Sequence, residues 1–303
     1  MKVIKKGVLS TFQDLGRANS RSKGVNVGGA MDVYSFKLLN LILQNTENET
    51  AIEMHFPAPV FEFEETCVFA ISGADFGCLL NGKEILHLKQ YGAQKGDVLS
   101  FSKWSFGQRC YLGVKGGFDL PKWQNSAATN LQIGFQKMES AILLNKHDSR
   151  KNSNLGIFRN DSFFRKIIRI VLAESISNNS LEAVFCKNNF VIQNESNRMG
   201  YKLSGPSLSF LNLKEKISFG VGFGSIQCLP NGQLIVLMAD SQTTGGYPVI
   251  GFVAQADLPY LAQMGSGQSF YFEIITLDQA FDLINDQNLF LKQVEASLKI
   301  NVK

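Results

Sequence analysis

The sequence predicts a mainly β protein with a few helices, organised as two β-rich domains. Three observations carry this reading. Short apolar or alternating runs recur along most of the chain, bounded by Gly, Pro, Asn and Asp. Turn signals fall at intervals of about ten residues, as in barrels and sandwiches. Only three segments carry helical signals.

The first helix is expected over residues 30–44, where Met31, Tyr34, Leu38, Leu41 and Ile42 recur at spacings of three and four. Strands are expected at 60–63, 68–72, 98–101, 111–114, 190–193, 234–238 and 269–275. Asn81-Gly82 is the strongest two-residue hairpin signal, and Pro230-Asn231-Gly232-Gln233 is a turn of the same chemistry. A short helix is expected at 256–264. A last helix opens at Thr276, with Gln279 at capping-box spacing and Phe281, Ile284, Leu291, Val294 and Leu298 on one face.

The polar Lys/Asn/Ser-rich stretch 145–160 follows the strand-like 141–144 and marks the domain boundary. The domains are then 1–160 and 161–303. A second polar stretch, 175–180, reads as a loop.

Composition excludes several functions. Charged residues are 18% of the chain, with 30 basic against 26 acidic, and no Lys/Arg block exceeds two residues. That balance argues against a nucleic-acid partner. The five cysteines (Cys67, Cys78, Cys110, Cys186 and Cys228) show no C-x-x-C spacing and read as buried free thiols. With only His55, His87 and His147, no metal site is expected. The basic start is followed by no apolar h-region, and no apolar run approaches the roughly 20 residues of a membrane span. A cytoplasmic protein without membrane contact is expected.

Several motifs are candidate sites. Residues 77–84 nearly match G-x-x-x-x-G-K-[ST], but Glu84 replaces the hydroxyl and would repel phosphate, so a hairpin is expected. The glycine-rich 220–225 reads as a strand corner. Near the start, Gln13-Asp14-Leu15-Gly16-Arg17 and the glycine-rich 24–32 precede a helix. Arg17 is a candidate fork for an anion, the plainer reading being a loop held by Asp14–Arg17 pairing. Arg198, in Arg198-Met199-Gly200-Tyr201, is a second candidate fork, or one half of a structural ion pair. The most unusual run is Asp240-Ser241-Gln242-Thr243-Thr244-Gly245-Gly246-Tyr247-Pro248. An apolar strand delivers it, as rigid scaffolds present sites. Gly245 and Gly246 bring backbone close to a ligand, and Gln242, Thr243 and Thr244 offer an amide and hydroxyls. A tight barrel turn is the alternative.

These residues resemble the C-subunit family of 5-oxoprolinase, which is also described as KipA-type or allophanate hydrolase subunit 2-like. That family is related to the urea carboxylase carboxyltransferase domain. The resemblance rests on 13–17, 29–32, Asn40, Gln44-Asn45, Glu53, 72–75, 80–82, Gly116-Gly117, 197–201, Gly205-Pro206, 224–227, 240–248, Asp257 and Ala262-Gln263, in family order. It implies a cyclophilin-like β-barrel architecture. It implies two partners, a KipI-like chain and a chain of the LamB/YcsF type, and ATP-dependent hydrolysis of 5-oxoproline to glutamate. ATP and Mg are then co-substrates of the complex, with a site on another chain or of an unusual kind. No biotin attachment sequence occurs, so any biotin would come on another chain.

On this reading Arg17 or Arg198 meets the substrate carboxylate. The loop Gln242, Thr243, Thr244, Gly245, Gly246 and Tyr247 holds its amide, and Gln227 is a further substrate-binding candidate. Asp32, Asp75 and Asp240 are candidate acid/base groups or magnesium ligands. The family pattern is altered at 125–129, where the usual arginine is missing, at 133–137 and at 171–174. The alternatives are a carboxyltransferase that acts on carboxybiotin, and a non-catalytic regulator binding a KipI-like kinase inhibitor.

Overall fold

The computed structural model describes residues 1–136, 138, 156–157, 165–174, 181, 184–185, 187–211 and 217–300. The expected strand at 141–144, the loop at 175–180, His147 and Cys186 lie outside them, as does all of the expected boundary except Gly156 and Ile157.

The chain forms two compact units. The first comprises Met1–Arg17, Gly28–Asp161 and Leu289–Lys303, and the second Ala18–Val27 and Ser162–Asn288.

The first unit contains β1 (Lys2–Lys5), β2 (Ser10–Gln13), helix α1 (Val33–Leu43), β3 (Ala51–Met54), β4 (Val60–Glu62), β5 (Cys67–Asp75), β6 (Cys78–Leu80), β7 (Lys83–Glu84), β8 (Tyr91–Ala93), β9 (Val98–Phe101) and β10 (Phe106–Val114). They make two five-stranded sheets, β1-β4-β9-β6-β7 and β2-β3-β10-β5-β8. The period of two explains the packing of β5. Cys67, Phe69 and Ile71 enter a core shared with Phe61 and Leu99 of the other sheet, while Val68 and Ala70 join Phe36, Leu39 and Leu43 of α1. Buried on both faces, β5 reads as a continuous apolar run. Gly113 in β10 lets α1 approach, since a Cβ there would lie 2.7 Å from Leu43 Cδ1.

The Asn81-Gly82 turn joins β6 to β7 with both residues at positive φ, 52° and 77°. The phosphate-loop-like run is therefore the expected hairpin. Cys67, Cys78, Cys110 and Cys228 are free and buried. Burial pushes the Cys67 thiol up to about 12 and Cys78 and Cys110 well above their ordinary range.

The second unit contains β11 (Ile167–Leu172), β12 (Asn189–Ile192), β13 (Gly200–Ser204), β14 (Phe219–Gly220), β15 (Ser225–Cys228), β16 (Leu234–Leu237), β17 (Thr244–Gly245), β18 (Val249–Val253), helix α2 (Leu258–Ala262) and β19 (Ser269–Ile274). Seven strands close a barrel in the order β11-β18-β15-β16-β13-β12-β19. The closing pair, β11 with β19, is parallel. Along β19, Phe270 and Phe272 are buried while Ser269 and Tyr271 are exposed. Phe185 and Phe190 pack against each other and against Phe272 at 5.0–5.8 Å between ring centres. Pro230 and Gly232 make the β15–β16 turn, with Gly232 N–H donating to Leu229 C=O at 2.8 Å and φ at 80°.

The last helix, α3 (Leu277–Ile300), has the expected capping box. Gln279 N–H donates to Thr276 Oγ1 at 3.2 Å, and Thr276 N–H donates to Gln279 Oε1 at 2.9 Å. The helix starts in the second unit and ends in the first, where Leu291 and Leu298 are buried beside α1 residues such as Leu38 and Leu39. Among the described residues, no helix is long and apolar enough to cross a membrane.

Candidate functional site

The second unit gathers most of the residues singled out in the sequence. Strand β16 is apolar and mostly buried, and it delivers Asp240 two residues beyond Met238. Asp240 N–H donates to Arg198 C=O at 2.8 Å, and Met238 N–H donates to Met199 C=O at 3.1 Å. These bonds continue the β13–β16 ladder past its last paired residues. The side chains then close on each other. Arg198 Nε donates to Asp240 Oδ2 at 2.7 Å and Nη2 donates to Oδ1 at 2.9 Å. Arg198 is 7% and Asp240 15% exposed, so the fork is largely out of water.

Beyond this root the chain turns at Ser241 and pairs again. Thr244 and Gly245 of β17 lie antiparallel to Gly220 and Phe219 of β14, and Val221 N–H donates to Thr243 C=O at 3.1 Å. Gln227, from β15, donates through Nε2 to Tyr247 C=O at 3.2 Å. Gln242, Thr244 and Tyr247 are exposed, while Thr243, Gly245 and Gly246 are half-buried. The loop is thus an anchored ribbon whose polar side chains face outward, not a free loop.

Two further residues join this site, Asn26 from the glycine-rich run 24–32 and Arg21, which has no motif around it. Asn26 Nδ2 donates to Asp240 C=O at 3.1 Å, and Arg21 Nη2 approaches Thr243 C=O at 3.4 Å. Both come from Ala18–Val27, far away in sequence. For Arg21 a hint lies in Gly222, where a Cβ would lie 2.1 Å from Arg21 Nη1. The corner expected at 220–225 is present, with Gly224 at φ 88° just before β15.

The first unit holds Arg17, Asp32 and Asp75. Arg17 is fully buried. Its Nη2 donates to Ala128 C=O, and its guanidinium lies 5.0 Å from the Trp123 ring and 5.5 Å from the Phe135 ring. Asp14 accepts from Gly16 N–H, Ser126 Oγ and Ala127 N–H at 2.7–2.8 Å. Both residues hold the segment 126–128.

Asp32 is buried and caps α1, accepting from Ser35 N–H at 2.8 Å. Its own N–H donates to Tyr111 Oη at 2.8 Å, and Tyr111 donates to Glu53 Oε2 at 2.7 Å. Burial and Glu53 hold the Tyr111 hydroxyl well above its ordinary pKa. Asp75 accepts from Gly77 N–H at 2.8 Å and stands 3.7 Å from His87 Nε2. Burial lowers the His87 pKa, against an opposing pull from Asp75. Among the described residues, no three His, Cys, Asp or Glu side chains converge as a metal site would require.

A carboxyltransferase domain family, subdomain A and B, matches residues 23–274. The chain belongs to this family. It is 33% identical to the C subunit of 5-oxoprolinase from Haemophilus influenzae, over 94% of each chain. It is 31% identical to the C subunit of 5-oxoprolinase from Escherichia coli, over 97% of each. Among solved structures, it matches Kluyveromyces lactis urea amidolyase with a TM-score of 0.85 at 23% identity, covering 97% of this chain and 20% of that one. The family's fold is therefore this pairing of a β-rich unit with a closed seven-stranded barrel.

Proposed function

We propose that this chain is the C subunit of an ATP-dependent 5-oxoprolinase, which opens 5-oxo-L-proline to L-glutamate together with a KipI-like chain and a LamB/YcsF-type chain. The observation that carries this reading is the full-length correspondence to two proteins named as C subunits of 5-oxoprolinase, against a match to only 20% of a urea amidolyase.

The anchored ribbon 242–247 then holds the lactam amide. Gln242, Thr243 and Thr244 supply its polar contacts, and Gly245 and Gly246 its close backbone approach. Arg21, exposed and held beside Thr243, is assigned to the substrate carboxylate. Arg198 keeps Asp240, and so the root of the ribbon, in place. A lactam has a poor leaving group, so phosphorylation of the amide oxygen by ATP supplies the activation. We place ATP and Mg on a partner chain: Arg198 engages both carboxylate oxygens of Asp240, and Asp32 caps a helix.

The test is reconstitution. This chain is purified with its KipI-like and LamB/YcsF-type partners and assayed for glutamate release from 5-oxo-L-proline. Release that needs ATP and all three chains is expected. No ATP-dependent release from any combination sinks the proposal. The family description favours one second reading, a carboxyltransferase that acts on carboxybiotin from another chain. A biotin carrier copurifying with this chain, and decarboxylation of carboxybiotin by it, would establish that reading instead.

A further inference from the structure

Gln227 lies in β15, where all four residues are buried, and is itself only 1% exposed. A buried amide is costly unless both its arms are satisfied. One arm is: Nε2 donates to Tyr247 C=O at 3.2 Å. A carbonyl only accepts, so this contact fixes the amide orientation and leaves Oε1 as the other arm. Oε1 has no hydrogen-bond partner among the described residues and is the arm that keeps contact with solvent, so it is open to a donor from outside.

Two further features put this amide against the ribbon. A Cβ on Gly245 would lie 2.7 Å from Gln227 Nε2 and 3.6 Å from Cδ, so glycine is what lets the ribbon rest on the amide. The β15–β18 pairing also slips by a residue, from Ile226↔Gly251 to Gln227↔Val249. Such a bulge re-aims the side chain beside it and recurs next to active sites.

We propose that Gln227 Oε1 accepts the ring N–H of the lactam, making Gln227 a specificity-determining residue. This rests on the reading that the ribbon holds the substrate amide. With Nε2 occupied by Tyr247, the amide offers only an acceptor. It selects a ligand that carries an N–H, and it selects against an isostere that lacks one.

The experiment compares 5-oxo-L-proline with the cyclopentanone carboxylate in which CH2 replaces the ring N–H. Each is measured on the reconstituted complex, the analogue as a competitive inhibitor. The wild type should favour the lactam by about ten- to a hundred-fold, the range expected when a buried acceptor is left unpaired. Gln227→Met keeps the length of the side chain and removes the acceptor, so it should bring the ratio close to one. Gln227→Leu replaces it if the methionine variant does not fold.

A residue that only positions the ribbon would weaken both ligands equally and leave the ratio unchanged. That result, or a wild-type ratio near one, overturns the assignment while the 5-oxoprolinase reading stands. Absence of wild-type ATP-dependent cleavage overturns the reading, and this assignment with it.

Discussion

Arg198 and Asp240 are joined three times. The guanidinium forks onto the carboxylate at 2.7 and 2.9 Å, and the Asp240 N–H donates to the Arg198 carbonyl at 2.8 Å. The backbone bond brings the two Cα atoms together, and the side chains then need only one geometry to meet. Forty-two positions apart in sequence, they form the root of the polar ribbon.

This pair should be tightly coupled. Removing either partner leaves a poorly solvated charge, so Arg198→Ala or Asp240→Ala should cost about 3 kcal/mol. Arg198→Lys should not rescue, because an ammonium cannot make the fork. In a double-mutant cycle read by urea unfolding, the coupling should be roughly 1–3 kcal/mol. A cycle that adds without coupling would refute the pairing.

Gly245 and Gly222 should behave differently from core glycines. Gly245→Ala forces Gln227 off Tyr247, and Gly222→Ala displaces the exposed Arg21. Arg21 is exposed and can swing away, whereas Gln227 is buried and loses its hydrogen bond to Tyr247. Gly222→Ala should therefore move the melting temperature by less than about 1 °C, the shift of a few tenths of a kcal/mol in a chain of this size, and Gly245→Ala should lower it by about 2–5 °C, the shift of about 1–3 kcal/mol. Activity of the reconstituted complex should fall in both. Full activity in either would remove that contact from the site.

Tyr111→Phe should destabilise the first unit. It removes the hydroxyl that accepts from Asp32 N–H and that donates to Glu53 Oε2, where Met31 N–H still donates at 3.0 Å, in a buried network. The expected loss is about 1–3 kcal/mol by denaturant unfolding. A change under about half a kcal/mol, the scatter of neutral substitutions, would mean that the network is redundant.

His87 predicts a pH dependence. Its folded pKa lies below the ordinary 6.5 because burial disfavours the imidazolium, with Asp75 opposing. Between the folded pKa and 6.5 the unfolded chain binds the extra proton. Stability from His87 is therefore complete above about pH 6.5 and is lost as pH falls through that window. His87→Gln should flatten the decline in melting temperature between about pH 7.5 and about 5.5, near the lower edge of ordinary histidine titration. An unchanged slope would assign the decline to other groups.

Much of this is legible in the sequence, and for local reasons. The Thr276–Gln279 capping box, the Asn81-Gly82 turn and the apolar β16 depend on residues within a few positions of one another. Their spacing carries their geometry. Strands such as β1, β2 and β3 are not legible, because their pairing supplies the ordering that their composition does not announce.

The site divides in the same way. The run 240–248 stands out by composition alone, since polar side chains and paired glycines follow an apolar strand. What tertiary structure decided was which cation serves which part of the protein. Arg17 and Arg198 look alike in sequence, each close to a glycine. Folding buries the first against Trp123 and Phe135 and sets the second onto Asp240. Arg21, which has no motif around it, reaches Thr243 across 222 positions. Such partners are chosen by barrel closure and strand register, which no local window contains.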